Sequence, residues 1–291
     1  MPLPVLPLLR ATRPRQWVKN LSVAAPLVFA KSLRDEERAW RAAAAVAIFC
    51  VISSAVYLWN DVVDVEKDRA HPTKRLRPIA AGTLPIQTAQ VFAAAFAALG
   101  LSLAWLLDHP FAGAAAFYLA LNIAYSLSLK HVPYLDVVVI ASGFLLRVCA
   151  GALAIDVHAS NWLLVCTGLG ACFLGFGKRT HELSTAGTQA RRVLAGYHPD
   201  RLRGALYATG IATVVAYLLY TLAEHTRDYF HTDRMVFTVP LIAVGVVRFL
   251  QLSVGRDRPD SPTDEMLKDP LFLANVGAWV IAVVGIIYFA H

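Results

Sequence analysis

Long apolar runs separated by short polar segments make up most of this chain after its first twenty residues. A transmembrane helix needs about 20 mostly apolar residues, because it must cross a hydrocarbon layer of roughly 30 Å at about 1.5 Å per residue. The runs predict nine membrane-spanning helices, of which the first is short. These spans lie near residues 21–31, 39–60, 86–107, 111–129, 134–154, 161–177, 204–223, 235–252 and 270–290.

The spacing of the spans predicts one polytopic, all-α membrane domain over residues 1–291, because no soluble domain or low-complexity linker interrupts them. The longest polar segments are residues 61–85 and 178–203, which follow the second and sixth spans. Both begin as charged extensions of a helix and lie four helices apart. This arrangement suggests two similar halves of a bundle whose cytoplasmic loops cap a central cavity.

Composition supports a membrane protein and excludes several other classes. Hydrophobic residues make up 57% of the chain and charged residues 16%, with a mean hydropathy of +0.53, whereas soluble domains carry about 25% charged residues. The net charge of +7 comes from cations spread over short loops without a recognition motif, so we expect no nucleic-acid partner. Anionic lipid headgroups and phosphorylated substrates explain the cations better.

The distribution of lysine and arginine predicts the orientation in the membrane, because cytoplasmic loops are enriched in these residues. We expect the N-terminus and the segment 61–85 in the cytoplasm and the C-terminus outside. Residues 31–41, with four cations, are an exception on the outer side. The cations predicted to be cytoplasmic are Arg10, Arg13, Arg15, Lys19, Lys67, Arg69, Lys74, Arg75, Arg77, Lys130, Lys178, Arg179, Arg191, Arg192, Arg201, Arg203, Arg256, Arg258 and Lys268.

An acidic motif at the end of the second span carries the clearest chemistry. Asp61, Asp64 and Asp68 recur at i, i+3 and i+7, so they share one face of a helix that continues from the span, and Asn60 adds a neutral oxygen. Mg²⁺ prefers such oxygen ligands and usually binds through one or two carboxylates plus substrate phosphates. The alternative is a solvated helix end, but three carboxylates on one face repel each other unless they share a cation. The motif therefore predicts a Mg²⁺ site with catalytic aspartates.

Cations follow the acidic motif directly. Lys74, Arg75 and Arg77 lie between Pro72 and Pro78, which prevent a regular helix, and Arg69 precedes them. Guanidinium groups bind phosphate with two parallel hydrogen bonds, and lysine adds a compact charge. We predict phosphate contacts here, although the same residues are also a topology signal.

The motif Asn60-Asp61-x-x-Asp64-x-x-x-Asp68 resembles the first aspartate motif of the UbiA superfamily of intramembrane prenyltransferases. That resemblance implies a nine-helix protein that binds Mg²⁺ and an isoprenoid diphosphate. Tyr125 and Lys130, in Tyr-Ser-Leu-Ser-Leu-Lys, match a tyrosine–lysine pair that the family uses for diphosphate contact.

Longer blocks are similar to the decaprenyl-phosphate phosphoribosyltransferase branch of this superfamily. The branch joins 5-phosphoribosyl 1-diphosphate to a polyprenyl phosphate lipid, in a bacterial plasma membrane. Near the N-terminus, Lys19 and Asn20 are placed to reach the mouth of the cavity, so we predict that they contact the substrate. The blocks are Arg13-Pro-Arg-Gln-Trp-Val-Lys19-Asn20, the segment from Asp68 to Gly82, Ser142-Gly-Phe-Leu-Leu-Arg147, and Gly177-Lys178-Arg179-Thr-His-Glu182-Leu.

The second polar segment departs from ordinary prenyltransferases of the superfamily. Where they carry a second aspartate motif, this chain has Lys178, Arg179, His181 and Glu182, so only one clear carboxylate remains. We predict that Lys178 and Arg179 bind a phosphate and that Glu182 contacts the substrate, with a topology signal as the alternative for the two cations. Arg147 lies inside an apolar run, where an unpaired arginine is costly, so it should face the cavity and meet an anion. A structural partner such as Asp136 is the alternative for Arg147.

The sequence thus predicts an Mg²⁺-dependent enzyme that transfers phosphoribosyl to a polyprenyl phosphate. The competing function is a UbiA-type prenyltransferase that moves an isoprenyl chain to an aromatic or other acceptor. A transporter or scaffold is disfavoured, because the charges cluster in loops and few lie at midspan. A homo-oligomer stays open as an alternative to a monomer.

Overall fold

The computed structural model of the chain describes residues 5–185, 196–254 and 261–289. Throughout these ranges the only regular elements are helices, as predicted. Arg191, Arg192, Arg256 and Arg258, which entered the orientation argument, lie outside the described residues.

Thirteen α-helices and four 3₁₀ helices follow one another in the described ranges. The α-helices are α1 (Val5–Ala11), α2 (Ala25–Phe29), α3 (Glu36–Val63), α4 (Val65–Arg69), α5 (Ile86–Leu107), α6 (His109–Leu127), α7 (Leu135–Ala154), α8 (Asn161–Thr185), α9 (Pro199–Leu222), α10 (Glu224–Phe230), α11 (Val239–Val254), α12 (Pro262–Glu265) and α13 (Pro270–Phe289). The 3₁₀ helices are Pro14–Ala24, Lys74–Leu76, Leu129–His131 and Arg234–Thr238.

Seven helical segments in the described residues are long and apolar enough to cross a membrane. They are α3, α5, α6, α7, α9, α13 and the segment Arg234–Val254 that contains α11. Helix α8 has 25 residues but carries charged side chains in its last turns and is not among the seven. The chain is thus a multi-pass membrane protein, and the count of nine spans stays a prediction.

The predicted first span, residues 21–31, is not one continuous helix. The 3₁₀ helix Pro14–Ala24 ends within it, and the five-residue α2 completes it. Pro26 sits in the first turn of α2, where its missing N–H does no harm, but the same residue could not lie in the interior of a longer helix. The proline therefore explains why two short helices replace the predicted span.

The chain divides into two compact units, the first formed by Met1–Leu129 and Leu146–Ala159 and the second by Lys130–Leu145 and Ser160–His291. In the first unit α3 packs against α5 and α6. Phe49, Ile52 and Phe111 are completely buried there, and the Phe49 ring contacts that of Tyr118 at a centroid distance of 5.3 Å. The prediction of one domain over residues 1–291 stays a prediction.

Arg41 explains why cations occur on the predicted outer side of the first unit. Its guanidinium donates to the carbonyl oxygen of Ala154, at 2.6 Å, and of Leu107, at 3.3 Å, the last residues of α7 and α5. Asp108 lies 3.8 Å away. Cations at helix C-termini satisfy carbonyl groups that have no partner within the helix. Arg41 is thus a structural cap rather than a misplaced topology signal.

In the second unit α8 packs against α9 and α11. Phe173 and Phe249 meet edge to face at a centroid distance of 5.0 Å, and Leu206 is completely buried beside them. Arg248 forms a two-pronged ion pair with Asp269 at 3.1 and 2.6 Å. Asp269 also accepts a hydrogen bond from the N–H of Phe272 and so caps the start of α13.

Candidate active site

The acidic motif lies where α3 gives way to α4. The predicted continuous helix is wrong at one point, because α3 ends at Val63 and Asp64 (φ −95°, ψ 6°) separates it from α4. Aspartate has a low helix propensity, and Pro72 prevents the helix from continuing further. Backbone hydrogen bonds from Asp64 to Asn60 and from Asp68 to Asp64 still cross the break, at 3.0 and 2.8 Å. The three aspartates therefore remain near one another without sharing one regular face.

Asp61 and Asp68 converge on a single cation. Their relative exposures are 3% and 5%. One terminal nitrogen of Arg77 donates to Asp61 Oδ1 at 3.1 Å and to Asp68 Oδ2 at 2.6 Å. Arg13 donates to the same Asp61 oxygen. Two nearly buried carboxylates and two guanidinium groups thus form a compact cluster whose formal charges balance.

Asp64 and Asn60 point to other partners. Asp64 Oδ1 lies 3.8 Å from the Lys67 ammonium and is partly exposed. The Asn60 side-chain oxygen accepts a hydrogen bond from Ser126. The described residues contain no group of three His, Cys, Asp or Glu side chains placed to hold a metal ion. The predicted four-residue magnesium set stays a prediction, and Asp61 and Asp68, which already present oxygens to one cation, fit such an ion.

The basic segment after the motif is anchored by apolar residues. Ile79 and Leu84 are buried with Leu58 and Val65 in one core cluster. Lys74 is half-buried and Arg75 exposed, in the 3₁₀ helix Lys74–Leu76. This anchoring holds the segment so that Arg77 contacts Asp61 and Asp68 of the acidic motif. The separation of these residues along the chain did not by itself predict the contact.

Arg69 is paired locally. It donates to the exposed Glu66 at 2.7 Å, one turn earlier on α4. Exposed pairs at this spacing contribute little to stability. The pair uses one terminal nitrogen of Arg69, and the substrate contact of Arg69 stays a prediction.

Asn20 and Arg147 contact each other, and their substrate contacts stay predictions. The Arg147 side chain donates to the Asn20 oxygen at 2.9 Å and to the Tyr118 hydroxyl at 2.7 Å, and Arg147 is only 6% exposed. Asn20 in turn donates to Ser53 at 3.1 Å. The suggested alternative partner of Arg147, Asp136, lies in the second unit and pairs with Arg179 instead.

Lys19 and Tyr125 are two further residues of the first unit that the sequence predicts to contact the substrate. Lys19 is half-buried in the 3₁₀ helix Pro14–Ala24, and Tyr125 is half-buried near the end of α6. The substrate contacts of both stay predictions.

In the second unit a buried polar network surrounds Arg179. Arg179 is completely buried and contacts Asp136 at 2.5 Å as well as Glu182. The Tyr197 hydroxyl donates to Asp136 and accepts from the N–H of Tyr134 at 2.8 Å. Burial, followed by the hydrogen bond to Asp136, raises the pKa of Tyr197, so the phenol stays protonated and keeps donating.

The predicted phosphate contacts of the second unit therefore differ in availability. Arg179 and Glu182 are committed to the network, whereas Lys178 is half-buried on α8. Lys130 is buried in the 3₁₀ helix Leu129–His131. The substrate roles of Lys130, Lys178, Arg179 and Glu182 stay predictions from the resemblance.

Sequence reasoning missed Arg13, Ser126 and Tyr197. Arg13 and Ser126 contact residues of the acidic motif, and Tyr197 contacts Asp136. Arg13 carried two usable signals, since it is a cation predicted on the same membrane side as the acidic motif and it begins one of the blocks that resemble the phosphoribosyltransferase branch. Ser126 and Tyr197 carried none, because hydroxyl groups of this kind are common in any membrane bundle.

Comparison with known proteins identifies close relatives. Residues 21–276 match the UbiA prenyltransferase family. The chain is 35% identical to the decaprenyl-phosphate phosphoribosyltransferase of Corynebacterium glutamicum, covering 97% of this chain and 86% of the relative. It is 36% identical to the enzyme of that name from Mycolicibacterium smegmatis, covering 97% and 93%.

A solved structure has the same fold. The UbiA homolog from Archaeoglobus fulgidus bound to GPP and Mg²⁺ superposes with a TM-score of 0.74 at 18% identity, covering 97% of this chain and 99% of that one. At this identity the likeness concerns the fold alone. It confirms the predicted all-helical UbiA-like architecture.

Proposed function

Because this chain belongs to the UbiA prenyltransferase family and is a transferase, we propose that it transfers 5-phosphoribosyl from 5-phosphoribosyl 1-diphosphate to a polyprenyl phosphate. The products are diphosphate and polyprenylphosphoryl-5-phosphoribose. The observation that carries the proposal is the match of 97% of the chain to relatives named for phosphoribosyl transfer. The acidic and basic cluster of the first unit is chemically suited to a diphosphate substrate.

Asp61 and Asp68 are the residues that would hold Mg²⁺, with Asn60 and Asp64 assisting. The cluster supports this because two carboxylate oxygens already meet one cationic nitrogen. When bound, the ion would neutralise negative charge that develops on the leaving diphosphate. Lys74, Arg77 and Tyr125 of the first unit are proposed to orient the diphosphate by charge and hydrogen bonds.

The reaction exchanges one bond at ribose C1. The bond from C1 to the diphosphate oxygen breaks, and a bond from C1 to an oxygen of the lipid phosphate forms, with diphosphate as the leaving group. The lipid phosphate is already an anion at neutral pH, so this nucleophile needs no strong general base. In-line attack would invert the configuration at C1, and a product with retained configuration would contradict this route.

The proposal is tested by following label into lipid. Membranes that contain the protein are incubated with radiolabelled 5-phosphoribosyl 1-diphosphate, polyprenyl phosphate and Mg²⁺, and the lipid is extracted, with membranes lacking the protein as control. We expect label in the lipid fraction, lost when the metal is chelated. Label that stays aqueous, while a labelled prenyl diphosphate donor does modify an acceptor, would establish the prenyltransferase alternative instead.

The role of Asp64 is tested by Asp64→Asn. If this carboxylate joins Asp61 and Asp68 around the metal, the substitution should lower turnover by about 10- to 100-fold, the usual cost of losing a supporting group of a metal site. Glu66→Gln is the matched control, since Glu66 is an exposed acid two residues away. Equal turnover of the two variants, both folded by size-exclusion chromatography, would remove Asp64 from the site.

A further inference from the structure

Arg13 has an unusual backbone conformation directly before the 3₁₀ helix Pro14–Ala24. Its φ of 54° and ψ of 61° lie in the left-handed region. Few residues with a side chain adopt this conformation, and Lys31, Tyr134, Asp156 and His231 of the described chain share it, so by itself it does not mark a functional site. The contacts of the Arg13 side chain decide whether it belongs to a site.

The Arg13 side chain reaches the acidic motif and is supported by an aromatic ring. Its guanidinium donates to Asp61 Oδ1 and lies over the Tyr57 ring, 5.1 Å from the centroid. The Arg13 side chain is 28% exposed, whereas that of Asp61 is only 3% exposed. Arg13 thus covers a nearly buried carboxylate from a position that is itself partly open.

The charge of the cluster determines what can bind there. Asp61 and Asp68 carry two negative charges, and Arg13 and Arg77 carry two positive charges within hydrogen-bond distance of them. A divalent cation that entered alone would add two uncompensated positive charges beside the guanidinium groups, which is costly at a partly desolvated site. A metal that enters with a diphosphate brings its own negative charge.

We propose that Arg13, which donates to Asp61, is also a phosphate-binding residue of the substrate site. When metal and diphosphate bind, Arg13 releases the Asp61 oxygen to the metal and turns its guanidinium to a phosphate oxygen. The inference rests on the proposed function for the identity of the diphosphate. Its consequence is that metal alone binds weakly, because Arg13 competes for Asp61, and that substrate binding needs the Arg13 charge.

The experiment measures binding of Mn²⁺ alone to the purified, detergent-solubilised protein by electron paramagnetic resonance. Arg13→Gln should tighten Mn²⁺ binding by about tenfold, because it removes a charge-assisted hydrogen bond that competes for Asp61. In the transfer assay the same variant should raise KM for 5-phosphoribosyl 1-diphosphate by about tenfold or more, since one phosphate contact is lost. A residue that only tethers the N-terminal segment would not tighten metal binding.

Arg15→Gln is the matched control, since Arg15 is an exposed arginine of the same segment, and it should leave both values unchanged. Mn²⁺ binding by folded Arg13→Gln that equals or falls below that of the unmodified protein would overturn the proposal. If Arg13→Gln does not fold, Arg13→Lys is measured in its place. We expect unchanged Mn²⁺ binding and a raised KM for 5-phosphoribosyl 1-diphosphate. An unchanged KM would overturn the proposal. If the unmodified protein transfers no phosphoribosyl, the proposed function fails. The comparison of Mn²⁺ binding between Arg13→Gln and the unmodified protein still decides whether Arg13 competes with a metal for Asp61.

Discussion

At the scale of single residues, Arg179 shows how this protein accommodates a charge without solvent. Arg179 is completely buried and contacts two acids, Asp136 and Glu182. Removing charges from water costs several kcal/mol per ion, and only close partners with good geometry offset that cost. Asp136 is held further by the Tyr197 hydroxyl. This environment favours a structural role for Arg179, linking α7 and α8 within the second unit.

Replacing Arg179 alone should destabilise the protein strongly. We expect Arg179→Met to cost about 3–5 kcal/mol, because Asp136 would be left buried without its cation. Adding Asp136→Leu should recover part of this loss, since it removes the buried unpaired carboxylate, while the Tyr197 hydroxyl and Glu182 each still lose a partner. Thermal unfolding in detergent measures the single and double variants.

Activity of the double variant separates the two interpretations of Arg179. A purely structural arginine predicts that transfer activity returns with stability. Restored stability without activity would contradict that role and support the predicted phosphate contact.

At the scale of elements, one glycine permits a close approach within the first unit. A Cβ atom added to Gly151 of α7 would lie 1.8 Å from the carbonyl oxygen of Val23 in the 3₁₀ helix Pro14–Ala24. Backbone atoms cannot yield as a flexible side chain can. The 3₁₀ helix that carries Arg13 and Asn20 therefore depends on a glycine more than 120 residues later in the chain.

Gly151→Ala should lower stability by at least about 1–3 kcal/mol, the usual cost of inserting a methyl group into a packed site. Gly113→Ala in α6 is the control, because nothing lies within 4 Å of the added atom and alanine is the better helix former by about 0.5–1 kcal/mol. The unfolding midpoint in detergent should fall for the first variant and hold or rise for the second. Equal midpoints would show that the two helices can separate without loss.

The helices also show which parts of the fold the apolar pattern of the sequence predicts correctly. Apolar runs located the long helices from α3 to α13, because burial in lipid requires continuous apolar sequence and internally satisfied backbone groups. The ends differ most at α8, which extends eight residues past the predicted span into charged sequence, and at α9, which begins five residues earlier than predicted. The same rule failed at residues 21–31 and at Asp64, where proline and aspartate decide the backbone locally. Of the candidate site, the sequence identified Asp61, Asp68 and Arg77, but not that one nitrogen of Arg77 bridges both acids.

At the scale of the whole molecule, the orientation in the membrane is a prediction from the charge distribution. We expect an active-site motif that faces the cytoplasm of a bacterial cell and a C-terminus on the outside. In that orientation the phosphorylated sugar substrate would reach the enzyme from the cytoplasm. An odd number of spans is required for termini on opposite sides.

Reporter fusions test this orientation. Alkaline phosphatase, which is active only outside the cytoplasm, should be active when fused after residue 291 and inactive when inserted within residues 72–76. A green fluorescent reporter at the same positions should give the opposite pattern. Phosphatase activity at the inner site together with none at the C-terminus would invert the topology and place the acidic motif outside.

The sequence by itself determined that this is a helical membrane protein with an acidic and a basic motif suited to diphosphate chemistry, because those properties depend on composition and local spacing. Only the tertiary structure decided which charges neutralise each other. Arg13 and Arg77 meet Asp61, Asn20 meets Arg147, and Asp136 meets Arg179 rather than Arg147. These pairings join residues that are 16 to 127 positions apart, so they follow from how the helices pack and not from any periodicity along the chain.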